Sequence, residues 1–231
     1  MTPENGRTNV VIVTGFGDKG IEYLAKSIQE TFAPKTCKVI QGAPLTRALW
    51  HPDRIIENTI REIRAIGENI ILFGHSYGAF IAMAAAVREK LNNILTFVAI
   101  DGPLNADVPV QPALPSHWAF FRQYMHRPRI AKEYEMIGEM AISQQKPIIT
   151  IASPNDRIIP GKAKSVQGAT SVPLIFYNNS QTIAFDARPG VTHITLPEKY
   201  GGHSMRPQKS RLVAQIASHA YLESQGWAIA A

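Results

Sequence analysis

Gly74-His75-Ser76-Tyr77-Gly78 is the stretch of this sequence best equipped for covalent chemistry. A serine with glycine two positions away on either side, at the turn from a strand into a helix, forms a nucleophile-elbow pattern. So tight a turn leaves no room for side chains at those two positions. It holds the serine in a strained backbone conformation and lifts its hydroxyl clear of the sheet. The helix that follows aims its positive N-terminal end at the place where an oxyanion would form. A serine hydroxyl is a weak nucleophile until a base takes its proton, and imidazole is the usual base near neutral pH. The base needs a carboxylate to fix its tautomer and stabilise its charged form. His203 and Asp156 offer those two groups.

The elements that must position these residues can be read from apolar patterning. Val10-Val11-Ile12-Val13 is apolar throughout, as a strand buried on both faces of a parallel sheet should be. A helix follows, with Ile21, Leu24, Ala25, Ile28 and Phe32 at helical spacing. Strand 37–41 precedes a helix over 53–66 that lines Ile55, Ile56, Ile60 and Ile63 along one face. Strand 69–73 enters the elbow, and the Ala-rich run 79–90 leaves it as a helix. Further strands are expected at 94–100, 147–153 and 191–196, a small hairpin at 175–185, and a closing helix over about 207–224. This alternation predicts an α/β fold: a mostly parallel sheet of about six strands with helices on both faces. Ser76, Asp156 and His203 each fall in a loop just after a predicted strand. Ligand sites in such sheets gather at the carboxyl ends of the strands, so the three should converge on one edge.

Residues 1–231 read as a single domain, with 1–9 as a loose polar tail. Residues 104–146 interrupt the alternation. A proline-rich loop leads into a helical region carrying Trp118, Phe120, Phe121, Tyr124 and Met125 among arginines. Such a segment suits a lid whose apolar face lines a substrate pocket, with Trp118, Phe121 and Tyr124 as substrate-binding residues. It equally suits an extra helical layer whose aromatics fill core.

Several function classes are excluded or weakened. The net charge is +6 and the pI about 9.5, but Lys and Arg are scattered and no nucleic-acid motif appears. Cys37 is the only cysteine, which rules out an intrachain disulfide. No His, Cys and carboxylate spacing resembles a metal site, and no cofactor is implied. Met1–Asn9 lacks an apolar core that would read as a secretory signal, and no apolar run approaches a membrane span. The expectation is a cytoplasmic protein acting on a small-molecule substrate; the sequence leaves its oligomeric state open. The Gly-rich turn Thr14–Gly20 lacks the lysine and hydroxyl pair of a phosphate-binding loop. It can lend a backbone N–H to an oxyanion hole, or be a plain strand-to-helix turn.

The order Ser76, Asp156, His203 is that of the α/β-hydrolases, and from Val10 to about Ser224 the chain resembles a compact member of that superfamily. Gly15-Phe16-Gly17 resembles its oxyanion loop, Gly74–Gly78 its nucleophile elbow, Asp156–Pro160 its acid loop and Gly202-His203-Ser204 its histidine loop. Thr14 stands where many members carry histidine, and the antiparallel strands that often open the fold are missing. The resemblance implies a serine hydrolase of esterase, lipase or thioesterase type. Ser76, Asp156 and His203 would be its catalytic triad, and the backbone N–H groups of Phe16 and Tyr77 its oxyanion hole. The same residues could serve acyl transfer, perhydrolysis or a lyase reaction, or remain in a protein that only binds a ligand. Asp101 also follows a strand, and some members draw their acid from there; the loop around Asp156 resembles the usual acid loop more closely. His75 should point away from the serine hydroxyl, His193 and His219 should be structural, and His117 and His126 belong to the insertion.

Overall fold

The computed structural model describes residues 8–15, 20–41, 52–105, 132–133, 135–156, 158–159, 164–166, 168–177 and 182–230. Nine strands and five longer helices run in chain order through them: β1 (Asn9–Val13), α1 (Ile21–Phe32), β2 (Thr36–Ile40), α2 (Pro52–Ile66), β3 (Ile70–His75), α3 (Tyr77–Arg88), β4 (Ile94–Ile100), α4 (Ile137–Ser143), β5 (Pro147–Ala152), β6 (Thr170–Ser171), β7 (Ile175–Tyr177), β8 (Thr182–Ala184), β9 (Gly190–Thr195) and α5 (Pro207–Ala230). A single 3₁₀ turn, Glu198–Tyr200, stands between β9 and α5.

Seven strands form one sheet in the order β2-β1-β3-β4-β5-β9-β6, every neighbouring pair parallel. The seventh is the two-residue β6, in addition to the six strands that the apolar patterning predicts. Such a strand is too short to show an alternation of its own. The hairpin expected at 175–185 is present as the antiparallel pair β7–β8.

The two faces of the sheet bury different side chains of the same strands, as a period of two requires. Val11, Val13, Ile70, Leu72, Phe97 and Ala99 pack under α2 and α3. Val10, Ile12, Ile71, Phe73, Val98 and Ile100 pack under α1 and α5. Helix α2 turns Ile56, Ile60 and Ile63 inward, as its sequence stripe predicts. Helix α3 is buried all round through Val87, so it shows no polar face. The closing helix extends to Ala230, beyond the predicted end near 224.

The chain runs outward from β1 to β2 and then returns to place β3 on the other side of β1. That reversal of strand order falls at the carboxyl ends of β1 and β3, the usual location of a site in this kind of sheet. Ser76 stands there, at the end of β3. Of the sequence expectations, the tail 1–9 and the insertion 104–146 fall largely outside the described residues, as do Phe16, Trp118, Phe121 and Tyr124.

Candidate active site

The turn from β3 into α3 leaves no space for larger residues. A Cβ on Gly74 would stand 2.4 Å from the Ala79 Cα, and one on Gly78 would stand 2.3 Å from the Val13 carbonyl oxygen and 2.5 Å from the Thr14 carbonyl carbon. The two glycines therefore let the first turn of α3 fold back on β3 and lie against the end of β1. Between them Ser76 adopts φ 57° and ψ −133°, a region that L-residues seldom occupy. Its N–H donates to the Ile100 carbonyl at 2.9 Å, which ties the turn to β4. Ser76 sits at the N-cap of α3, and Tyr77 opens the first helical turn.

His203 reaches this point from the loop after β9. Its Nε2 is 2.9 Å from Ser76 Oγ, and its Nδ1 is 2.9 Å from Asp156 Oδ2. A carboxylate can only accept here, so Nδ1 carries the proton and Nε2 is left to accept from the serine hydroxyl. Asp156 is at the end of the β5 loop, and its other oxygen accepts from the backbone N–H groups of Ile158 at 2.7 Å and Ile159 at 3.2 Å. Burial opposes its ionisation, but the hydrogen bond and charge of His203, and then of Lys164, hold its carboxyl well below the usual carboxylate range. Loops after β3, β5 and β9 thus bring together three side chains separated by up to 127 positions in sequence.

Asp101, the other candidate acid, has no bond to the imidazole. It is fully buried at the end of β4. Oδ1 accepts from Lys164 Nζ and from the Ser153 N–H, each at 2.7 Å. Oδ2 accepts from Ser153 Oγ and from Lys209 Nζ, again at 2.7 Å. Burial alone would raise its pKa, yet the ammonium groups of Lys209 and then Lys164 lower it. Lys164 and Lys209 had no place in the sequence reading. Lys209 left a trace there: on α5 it shares the inward face with Leu212, Val213 and Ile216, an unusual position for a charge. Lys164 left none.

Of the remaining histidines, His117 and His126 lie outside the described residues, and His193 and His219 bond across elements. His193 Nδ1 bonds Thr150 Oγ1 at 2.9 Å between β9 and β5, and His219 Nε2 bonds the Phe185 carbonyl at 2.9 Å. His75 is not idle. Its Nε2 lies 2.9 Å from the His203 carbonyl oxygen, and the two rings are 5.0 Å apart between centroids. His75, Asp101 and His203 also offer metal-ligand atoms within 4.8 Å of one another. Those of Asp101 already accept from two ammonium groups, and both nitrogens of His203 are engaged by Ser76 and Asp156. This cluster is an ion and hydrogen-bond network. Cys37, on the edge strand β2, is half-buried, and burial pushes its thiol up.

A model of the alpha/beta hydrolase family matches residues 14–208, which span all three convergent side chains. The chain belongs to the alpha/beta hydrolase family. No curated protein matches it in sequence. Solved structures resemble this hydrolase in fold at low identity. The esterase domain of a Rhodothermus marinus protein matches at 12% identity with a TM-score of 0.57, covering 97% of this chain and 90% of that one. Est1E from Butyrivibrio proteoclasticus matches at 15% identity with a TM-score of 0.55, covering 97% and 92%. The thioesterase domain from the curacin biosynthetic pathway matches at 15% identity with a TM-score of 0.52, covering 94% and 92%. Among the described residues, no helix of this hydrolase is long and apolar enough to cross a membrane.

Proposed function

We propose that this protein is a serine hydrolase that cleaves a carboxylic ester or thioester through an acyl-enzyme on Ser76. The observation that carries the reading is the unbroken hydrogen-bond chain from Asp156 Oδ2 through both His203 nitrogens to Ser76 Oγ, each link 2.9 Å. Family membership and the esterase and thioesterase names of similar structures point the same way.

In this mechanism His203 Nε2 takes the Ser76 proton as Oγ attacks the carbonyl carbon. Asp156 holds the ring in the Nδ1–H tautomer and stabilises the imidazolium that forms. Negative charge builds on the carbonyl oxygen, where the Tyr77 N–H at the start of α3 would donate; the second donor assigned by resemblance is Phe16, outside the described residues. Each such donor supplies about 3–4 kcal/mol of transition-state stabilisation in comparable sites. His203 then gives its proton to the leaving alcohol or thiol, and water releases the acyl group by the same route in reverse.

A fluorophosphonate probe tests this directly. The wild type should be labelled on Ser76 and should hydrolyse short-chain aryl esters. Ser76→Ala should lose labelling and several decades of turnover, because no acyl-enzyme can form. A wild type that binds the probe reversibly but is never labelled would instead be a ligand-binding member of the family.

A further inference from the structure

A buried cluster behind the triad has the geometry of an electrostatic support. The Lys164 side chain is wholly inaccessible; its ammonium donates to Asp101 Oδ1 at 2.7 Å and to the Ser153 carbonyl at 2.9 Å, and forms an ion pair with Asp156 Oδ2 at 2.7 Å. Asp156 Oδ2 is the same oxygen that accepts from His203 Nδ1. Lys209 is nearly as buried. It bonds Asp101 Oδ2 at 2.7 Å and the Gly202 carbonyl at 2.8 Å, with the His203 carbonyl at 3.4 Å. Two ammonium groups and two carboxylates thus interlock, with Asp101 bridging the lysines and Lys164 bridging the acids.

Such a cluster is not needed for packing. Apolar side chains of similar volume usually stabilise a core as well as a buried ion network, or better. Its contacts instead end on the groups that matter for a nucleophilic serine: the acid and the backbone of the histidine loop, whose His203 carbonyl also meets His75 Nε2. We propose that Lys164, held in place by Asp101 and backed by Lys209, is a positioning residue: its ammonium fixes and charge-balances Asp156, and so sets the pH at which the His203–Ser76 pair becomes reactive. The proposal rests on the serine-hydrolase reading.

Electrostatics give a signed expectation. With His203 neutral, the two lysines and two aspartates sum to zero charge. Loss of the Lys164 charge leaves a net negative cluster beside the imidazole, which favours the imidazolium and delays serine activation to higher pH. Loss of the Asp101 charge leaves a net positive cluster and does the opposite. The other titratable groups facing this region among the described residues are His75 from β3 and His193 from β9. The imidazole of His193 is pushed down first by burial and then by Lys164. Burial likewise lowers Lys209, with Asp101 opposing it.

The experiment is the rate of Ser76 labelling by a fluorophosphonate, followed from pH 4 to 9 beside the urea midpoint. The acidic limb should move up by about one unit or more in Lys164→Met and down in Asp101→Asn. In Lys164→Met/Asp101→Asn, which removes one charge of each sign, it should return to within a few tenths of the wild type, with the plateau rate down about tenfold because Asp156 has lost a donor. Limbs that coincide in all folded variants, or that move in one direction for both single variants, would overturn the proposal, as would a double variant with the full plateau rate. A purely structural cluster predicts those results with only the urea midpoints reduced. If the single variants do not fold, the wild type still decides. The Lys164 ¹⁵Nζ resonance should shift through the same midpoint as the labelling rate, and a resonance indifferent to that transition overturns the idea. Absence of labelling in the wild type at every pH would sink the hydrolase reading itself, a distinct outcome.

Discussion

Ser76 is held at φ 57° by its neighbours, a conformation that costs on the order of 1–3 kcal/mol and persists only when the surroundings over-determine it. Here β4 fixes its N–H and the first turn of α3 follows at once. Asp156 is comparably constrained, with acceptors filled by two backbone N–H groups, an imidazole and an ammonium. Asparagine at 156 would present an amide that cannot stabilise the imidazolium. It could also offer an N–H to Nδ1 and so favour the other tautomer. Asp156→Asn should lower kcat for an aryl ester by about four decades, by analogy with loss of the carboxylate in a serine protease triad. Asp101→Asn should cost far less, since Asp101 reaches the imidazole only through lysine. Steady-state kinetics of the two purified variants check the ranking, and a larger loss at Asp101 would reverse the assignment of the acid.

At the scale of the element, the join between β3 and α3 leaves no room for side chains at either glycine. Small residues on α3, from Ala79 to Ala86, let the helix sit close over the sheet with every side chain through Val87 buried. Gly78 lies where helix and strand backbones nearly touch, so the atoms in the way are main chain and cannot swing aside. Gly78→Ala should therefore destabilise by about 3 kcal/mol or more, the upper part of the range for overpacking. A urea titration gives that number. Because the displaced atoms belong to Val13 and Thr14, at the end of β1 beside the Ser76 turn, labelling of Ser76 should slow in the molecules that remain folded. A neutral Gly78→Ala would mean that the helix can retreat from β1 without cost.

The whole molecule couples the sheet edge that carries Ser76 to its stability through the two buried aspartates. Both carboxyls are held below the usual range in the fold, whereas in the unfolded chain they should titrate near ~3.9. A carboxylate with a depressed native pKa adds stability that is complete above the unfolded value and is lost as pH falls toward the native one. The urea midpoint should thus hold steady down to about pH 5 and drop steeply between about pH 4 and 2. In Lys164→Met/Asp101→Asn the drop should be shallower over that window, because one of the two linked protons is gone. Equal slopes would show that carboxylates elsewhere carry the acid transition.

Local chemistry made much of this protein legible from its sequence. The apolar runs of β1, β3, β4 and β5 and the stripes on α1 and α2 follow from periodicity. The glycines at 74 and 78 mark a turn that admits nothing larger. The order of Ser76, Asp156 and His203, each just beyond a strand, is likewise a property of the linear chain. What only the tertiary structure decided was which acid faces the imidazole, and what stands behind that acid. Asp101 and Asp156 both follow strands, and in the sequence only the loop resemblance favours Asp156; the physical distinction comes from the side-by-side packing of β4, β5 and β9. Lys164 and Lys209 meet Asp101 across 63 and 108 residues of chain. A lysine destined for burial against a distant aspartate has the same local signature as one bound for water, because the partner that makes burial tolerable is supplied only when the chain folds.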